Sequence, residues 1–197
     1  MLSRNLVFVG ALVVPGMASA DVLLGAQFGN QSLDIRQTNA LGMVEKDTRE
    51  SETALGLIVG FGRPGGGDRI LIEWNGFTVE DRVEVDLLEV SYNYFLPNLT
   101  QSNVSKLRPF IGGSLGYGWL DVSSMPGYAS GDDGHILYGV RTGLNLALGN
   151  WIEFEVGMRY TAVDLDAELD SRLPLPNSAH YEVSNSRAWW IGFSMGI

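Results

Sequence analysis

From Trp151 to Ala162 the chain alternates one residue at a time. Ile152, Phe154, Val156, Met158, Tyr160 and Ala162 are apolar. Between them, after Trp151, stand Glu153, Glu155, Gly157, Arg159 and Thr161. Successive side chains of a strand point to opposite faces, so this segment predicts a strand with one apolar and one polar face. It is long enough to cross a bilayer, which takes about 9–11 tilted residues.

The same period predicts eight strands: 22–36, 49–63, 68–79, 82–96, 107–122, 134–148, 150–170 and 183–197. Arg63-Pro64-Gly65-Gly66-Gly67 is a clear break and Leu148-Gly149-Asn150 reads as a tight turn, while Pro97-Asn98 opens a longer connection. Loops are expected at 37–48, 123–133 and 171–182, with connections at one end mostly shorter than at the other. The apolar faces include Leu55, Leu57 and Val59 in the second strand and Trp189, Ile191, Phe193, Met195 and Ile197 in the last. The opposite faces are small and poor in charge: Gly112, Ser114, Gly116 and Gly118, then Ala188, Trp190, Gly192, Ser194 and Gly196. A soluble barrel would show Lys, Glu and Asp on its outer surface. A narrow eight-stranded lumen needs small residues inside. The pattern therefore predicts an all-β chain, an eight-stranded antiparallel up-and-down transmembrane β-barrel. A lipocalin-like barrel in the periplasm is the competing reading.

Residues 1–20 carry Arg4, the apolar run Leu6 to Val14 and Ala18-Ser19-Ala20, the layout of a cleaved signal peptide. The barrel domain is then 21–197. The chain has no cysteine, which excludes disulfides and thiolate metal sites. Its formal net charge is −10, which offers no footprint for nucleic acid. No cofactor and no metal site is expected. The acidic row Asp164, Asp166, Glu168 and Asp170 reads as a solvated face, because residues two apart on a strand are nearly 7 Å apart. His135 and His180 are the only histidines. His180-Tyr181-Glu182-Val183-Ser184 has no recognisable catalytic spacing, so enzyme activity is not expected.

The segments Arg108-Pro109-Phe110-Ile111-Gly112-Gly113-Ser114-Leu115-Gly116-Tyr117-Gly118 and Tyr138-Gly139-Val140-Arg141-Thr142-Gly143, the signal ending at Ala20 and the final alternating strand carry a family likeness. The chain resembles the eight-stranded outer-membrane barrels that include the OmpA transmembrane domain, OmpX, OmpW and the opacity-type proteins. The resemblance implies a bacterial outer-membrane location and contact with membrane lipid and lipopolysaccharide. It also implies recognition of the last strand by the barrel-assembly machinery, although members usually end in Phe and this chain ends in Ile197. A monomer is expected.

Two interior regions are candidate sites. Taking Leu148-Gly149-Asn150 as a three-residue turn sets Arg141 opposite Gly157 and diagonal to Glu155. Taking Glu80-Asp81-Arg82 likewise sets Glu73 opposite Glu89. Facing carboxylates in a confined lumen do not both ionise unaided, which predicts a network of Glu73, Glu89, Arg141, Glu155 and Arg159, with Glu153 near the periplasmic mouth. The resemblance to OmpA implies the same kind of interior cluster. Higher up, polar residues turn outward and apolar ones inward. Leu33, Ile35, Phe77, Val79, Val83, Val85, Val163 and Leu165 are expected to gather there, as a hydrophobic seal or as an OmpW-like pocket for small apolar molecules. The functional expectation is a structural, surface-exposed barrel with a plugged lumen and no open pore. The alternatives are a transporter of small apolar molecules and an adhesin acting through its loops.

Overall fold

The computed structural model describes residues 22–39, 41–62, 66–79, 83–102, 105–123, 130–169 and 179–197; the expected signal peptide lies outside them. Eight long strands form: β1 (Val22–Thr38), β2 (Val44–Phe61), β3 (Arg69–Val79), β4 (Val83–Phe95), β5 (Ser105–Val122), β6 (Gly131–Leu148), β7 (Ile152–Leu169) and β8 (Ala179–Gly196). Thr100–Gln101 adds a two-residue ladder to Lys106 and Leu107 inside the β4–β5 connection. Each strand pairs antiparallel with its sequence neighbours. The β1–β8 ladder closes the ring, so the sheet has no overall edge.

Alternation does the sorting. The outer wall carries Leu55, Leu57, Ile111, Leu115, Val140, Met158 and Ile191, all more than half exposed. The inner face carries every large buried side chain, from Phe110 and Arg141 below to Leu165 and Tyr181 above. So continuous an apolar exterior is unfavourable in water and matches the lipid-facing band of a membrane barrel.

Two expectations are corrected. Several strands run further than their hydrophobic pattern showed. Val44–Thr48, Gly131–Asp133 and Ala179–Glu182 are strand, so the loops expected at 37–48, 123–133 and 171–182 are shorter. The expected difference in loop length between the two ends turns on residues 80–82, 124–129 and 170–178, which lie outside the described residues. What distinguishes the ends is strand extension above the apolar belt. Finally, Leu148 pairs with Ile152, so the β6–β7 turn is Gly149 to Trp151. Gly149 takes φ +65° there, a conformation open to glycine without a Cβ clash. The register is therefore two residues off the expected one: Arg141 faces Arg159 and Gly143 faces Gly157.

Candidate functional site

The interior is a stack of side-chain layers, each assembled from several strands. Nearest the chain termini, Arg69 of β3 and Arg108 of β5 converge on Glu153 of β7, the first in direct contact and the second at 3.6 Å. Both guanidiniums lie over the Phe95 ring, at 4.5 and 3.9 Å from its centroid. Arg108 also donates to Asn145 Oδ1 at 3.3 Å. Cation–π stacking and the shared carboxylate together hold two buried cations in place.

The next layers contain the expected network. Glu73 and Glu89 face each other across β3 and β4. Arg141 and Arg159 face each other across β6 and β7. Each facing pair consists of like charges, and the lumen resolves both by crossing them. Arg141 pairs with Glu73 through Nη1 and donates from Nη2 to Glu155 Oε1 at 3.0 Å. Arg159 pairs with Glu89 and stands 3.6 Å from Glu73. Side-chain exposure in this network runs from 0 to 11%. Hydroxyl and ring donors fill remaining acceptor sites: Ser91 Oγ to Glu73 at 3.1 Å, Ser114 Oγ to Glu89 at 2.8 Å and Trp190 Nε1 to Glu155 at 3.3 Å. The Arg141 guanidinium also lies 4.7 Å from the Trp190 ring.

The five residues singled out by sequence thus meet, by a different local geometry. Glu155 faces Asn145 rather than Gly143, and it reaches Arg141 along the barrel axis. Gly157 makes room for another side chain: a Cβ there would lie 2.5 Å from Trp190 Cζ2. Arg69 and Arg108 were not assigned to the lumen by sequence. Their phase gives the signal, since Arg69 is in step with Leu71 and Glu73, and Arg108 with Phe110 and Gly112.

Above Gln31, Thr161 and Ser186, all buried, the interior becomes apolar. Leu33, Ile35, Phe77, Val83, Val85, Val163 and Leu165 join one buried cluster; the Val79 side chain is outside the described set, though Val79 pairs with Val83. The cluster also takes Leu87, Ala167 and Leu169, which the alternation turns inward, and Leu120, Leu137, Tyr181 and Val183, which the sequence does not assign to it. Tyr181 and Val183 come inward because of Asn185. The consecutive residues Leu33 and Asp34 of β1 pair with Ser186 and Ser184, so Asn185 is the extra residue of a bulge against β1, while on the β7 side Ala162 and Val163 stand against it between the Thr161–Ser186 and Asp164–Ser184 pairs. Asn185 sits at φ 52°, where Asn is better tolerated than most residues. Below it the even-numbered side chains of β8 face inward, and above it the odd-numbered ones do.

Outside this cluster Asp164, Asp166 and Glu168 face solvent, with Asp166 contacting His180 Nδ1 at 3.1 Å. Asp170 lies outside the described residues.

No protein-family model and no curated protein matches the sequence. Solved structures do match the fold. Neisserial surface protein A aligns with a TM-score of 0.56 at 14% identity, covering 88% of this chain and 97% of that one. OprG from Pseudomonas aeruginosa gives 0.59 at 16% identity, with 92% and 98% covered. The N-terminal β-barrel domain of Pseudomonas aeruginosa OprF gives 0.52 at 9%, with 89% and 97% covered. The chain has the eight-stranded antiparallel β-barrel fold of these outer-membrane proteins.

Proposed function

We propose that the protein resides in the bacterial outer membrane as a closed, non-enzymatic barrel. It stabilises the envelope and presents surface loops, and conducts no solute along its axis. One observation carries this reading: side chains fill the interior, with its guanidiniums set against carboxylates, although buried polar atoms of Asn75, Asn93, Thr161 and Ser186 have no protein partner among the described residues. The lower charges are paired within the lumen, and the upper layer is a buried apolar cluster. A water-filled pore keeps its polar lining wet, as porins do. Surrounding lipid and lipopolysaccharide are the partners of the apolar belt. The β8 strand is the segment offered to the barrel-assembly machinery, and the protein acts as a monomer.

Reconstitution into planar bilayers tests the reading. The expected record has no discrete conductance steps at moderate voltage. A stable, reproducible unit conductance would overturn it.

Transport of small apolar molecules through the upper region has less support, because seven of the eight residues expected to line a pocket pack into one cluster. An adhesive role has one specific observation in its favour. The β1–β2 tip is organised by Asn39, whose Oδ1 accepts from the Leu41 and Met43 amides at 3.0 Å, and it exposes Leu41, Met43 and Val44.

A further inference from the structure

We propose that the outer wall across β6, β7, β8 and β1 binds an anionic, phosphate-bearing lipid of the surrounding membrane, with Arg187 as the headgroup anchor. The inference rests on the membrane reading above and deepens it.

Two levels of outward side chains define the site. At the lower level Met158, Trp189 and Asn30 lie directly opposite one another across the β7–β8 and β8–β1 ladders. At the upper level Val140, Tyr160, Arg187 and Ser32 do the same. A groove of about 480 Å³ runs between them, and its surface is mostly apolar.

Arg187 is exposed at the top of this groove. Its one recorded contact among the described residues is with the Tyr160 ring, 6.0 Å from guanidinium to centroid. Its ladder neighbours are Ser32 and Tyr160, and no carboxylate stands beside it at that level. The nearest outward acids of the adjoining strands, Asp34 and Asp164, lie beyond the Asn185 bulge. Tyr160 is itself fixed, donating from its hydroxyl to Asn185 Oδ1 at 2.8 Å.

An unpaired guanidinium at the edge of an apolar belt is unfavourable, increasingly so with depth. Tyr160 and Trp189 flank it, the residue types that mark headgroup depth. A phosphate relieves the cost, because the planar fork of Arg matches phosphate oxygens two at a time. Below the headgroup, Met158 and Trp189 give an acyl chain an apolar floor. Cation above and apolar groove below is the charge pattern of an anionic amphiphile, and a free anion would use only the upper half.

Native mass spectrometry of the detergent-solubilised protein, offered phosphatidylglycerol or phosphatidylcholine of identical chains, tests the site. The wild type is expected to retain phosphatidylglycerol about tenfold better, the scale of one charge-assisted contact. Arg187→Gln should reduce that lipid to the phosphatidylcholine level, and Arg187→Lys should fall between. Trp189→Ala should weaken both lipids while leaving the preference, and millimolar inorganic phosphate should not displace bound lipid. An undiminished preference in Arg187→Gln overturns the proposal, as does full displacement by inorganic phosphate, which would indicate a simple anion site. Insertion into vesicles is measured in parallel. A protein that inserts but shows no headgroup preference loses the site alone, whereas one that fails to insert loses the membrane reading as well.

Discussion

Below Thr161 the inward side chains of β7 are Glu153, Glu155, Gly157 and Arg159; above it they are Val163, Leu165, Ala167 and Leu169. One strand, in one unbroken side-chain phase, therefore lines a charged interior and then an apolar one. Its outward face changes the other way, from Phe154, Val156, Met158 and Tyr160 to Asp164, Asp166 and Glu168. The solvent outside dictates the outer face, apolar against lipid and charged against water. Alternation leaves the inner face free to adopt either solution. The two solutions differ in tolerance. Buried charge is stable only with near-complete pairing and hydrogen bonding, so one lost partner strands another. Apolar packing is non-directional, and its loss scales with the volume removed.

The comparison is broken most severely at Arg141. It joins Glu73 to Glu155 and lies over Trp190. Arg141→Ala leaves both carboxylates short of their cation and should cost about 3–5 kcal/mol, read as a lower urea midpoint for unfolding from lipid vesicles. An unchanged midpoint would remove the ion network from the account of stability. Leu165→Ala, in the apolar half, should cost about 3 kcal/mol, mid-range for a buried Leu truncation. It should leave planar-bilayer conductance absent, because the paired charges beneath remain. A conducting Leu165→Ala variant would show that the apolar layer alone closes the barrel.

Much of this division could be read from the sequence, because period-two alternation reports which face each residue takes. The inward turn of Val163 and Leu165 and the convergence of Glu73, Glu89, Arg141, Glu155 and Arg159 follow from phase alone. Register does not. A turn of three residues can start at Leu148 or at Gly149, and the choice moves every β6–β7 pair by two positions without changing any residue's face. The contact between Arg141 and Glu155 survives that shift because both side chains are long; the role of Gly157 does not. Arg69 and Arg108 were missed through their position near connections, where basic residues are commonly solvated. Tyr181 and Val183 were missed for a different reason. A bulge inverts the phase, and nothing in the alternation of 186–196 announces that Asn185 will take a left-handed conformation.

That bulge is where the comparison can be sharpened. Asn185 lies near the height at which the interior changes from Thr161 and Ser186 to Val183 and Leu165, and its φ of 52° lets β8 turn Ser186 and Trp190 inward below it and Tyr181 and Val183 inward above it. Without the extra residue, the upper segment would turn His180 and Glu182 into the apolar cluster and Tyr181 and Val183 out to water. Asn185→Val places a β-branched residue in the left-handed region and should cost about 1–2 kcal/mol. Asn185→Gly accepts the same backbone and loses only the hydrogen bond from the Tyr160 hydroxyl, a change of about 1 kcal/mol or less at an exposed site. Unfolding midpoints of the two variants in the same vesicles give the ordering. The location of the damage gives the sharper result. In Asn185→Val, amide exchange should accelerate at Tyr181 and Val183 while Trp190 and Gly192 stay protected, because the strained residue borders the apolar half and leaves the ion-paired half intact. Equal acceleration on both sides of residue 185 would mean that the two interiors unfold as one unit and that the bulge separates them in composition only.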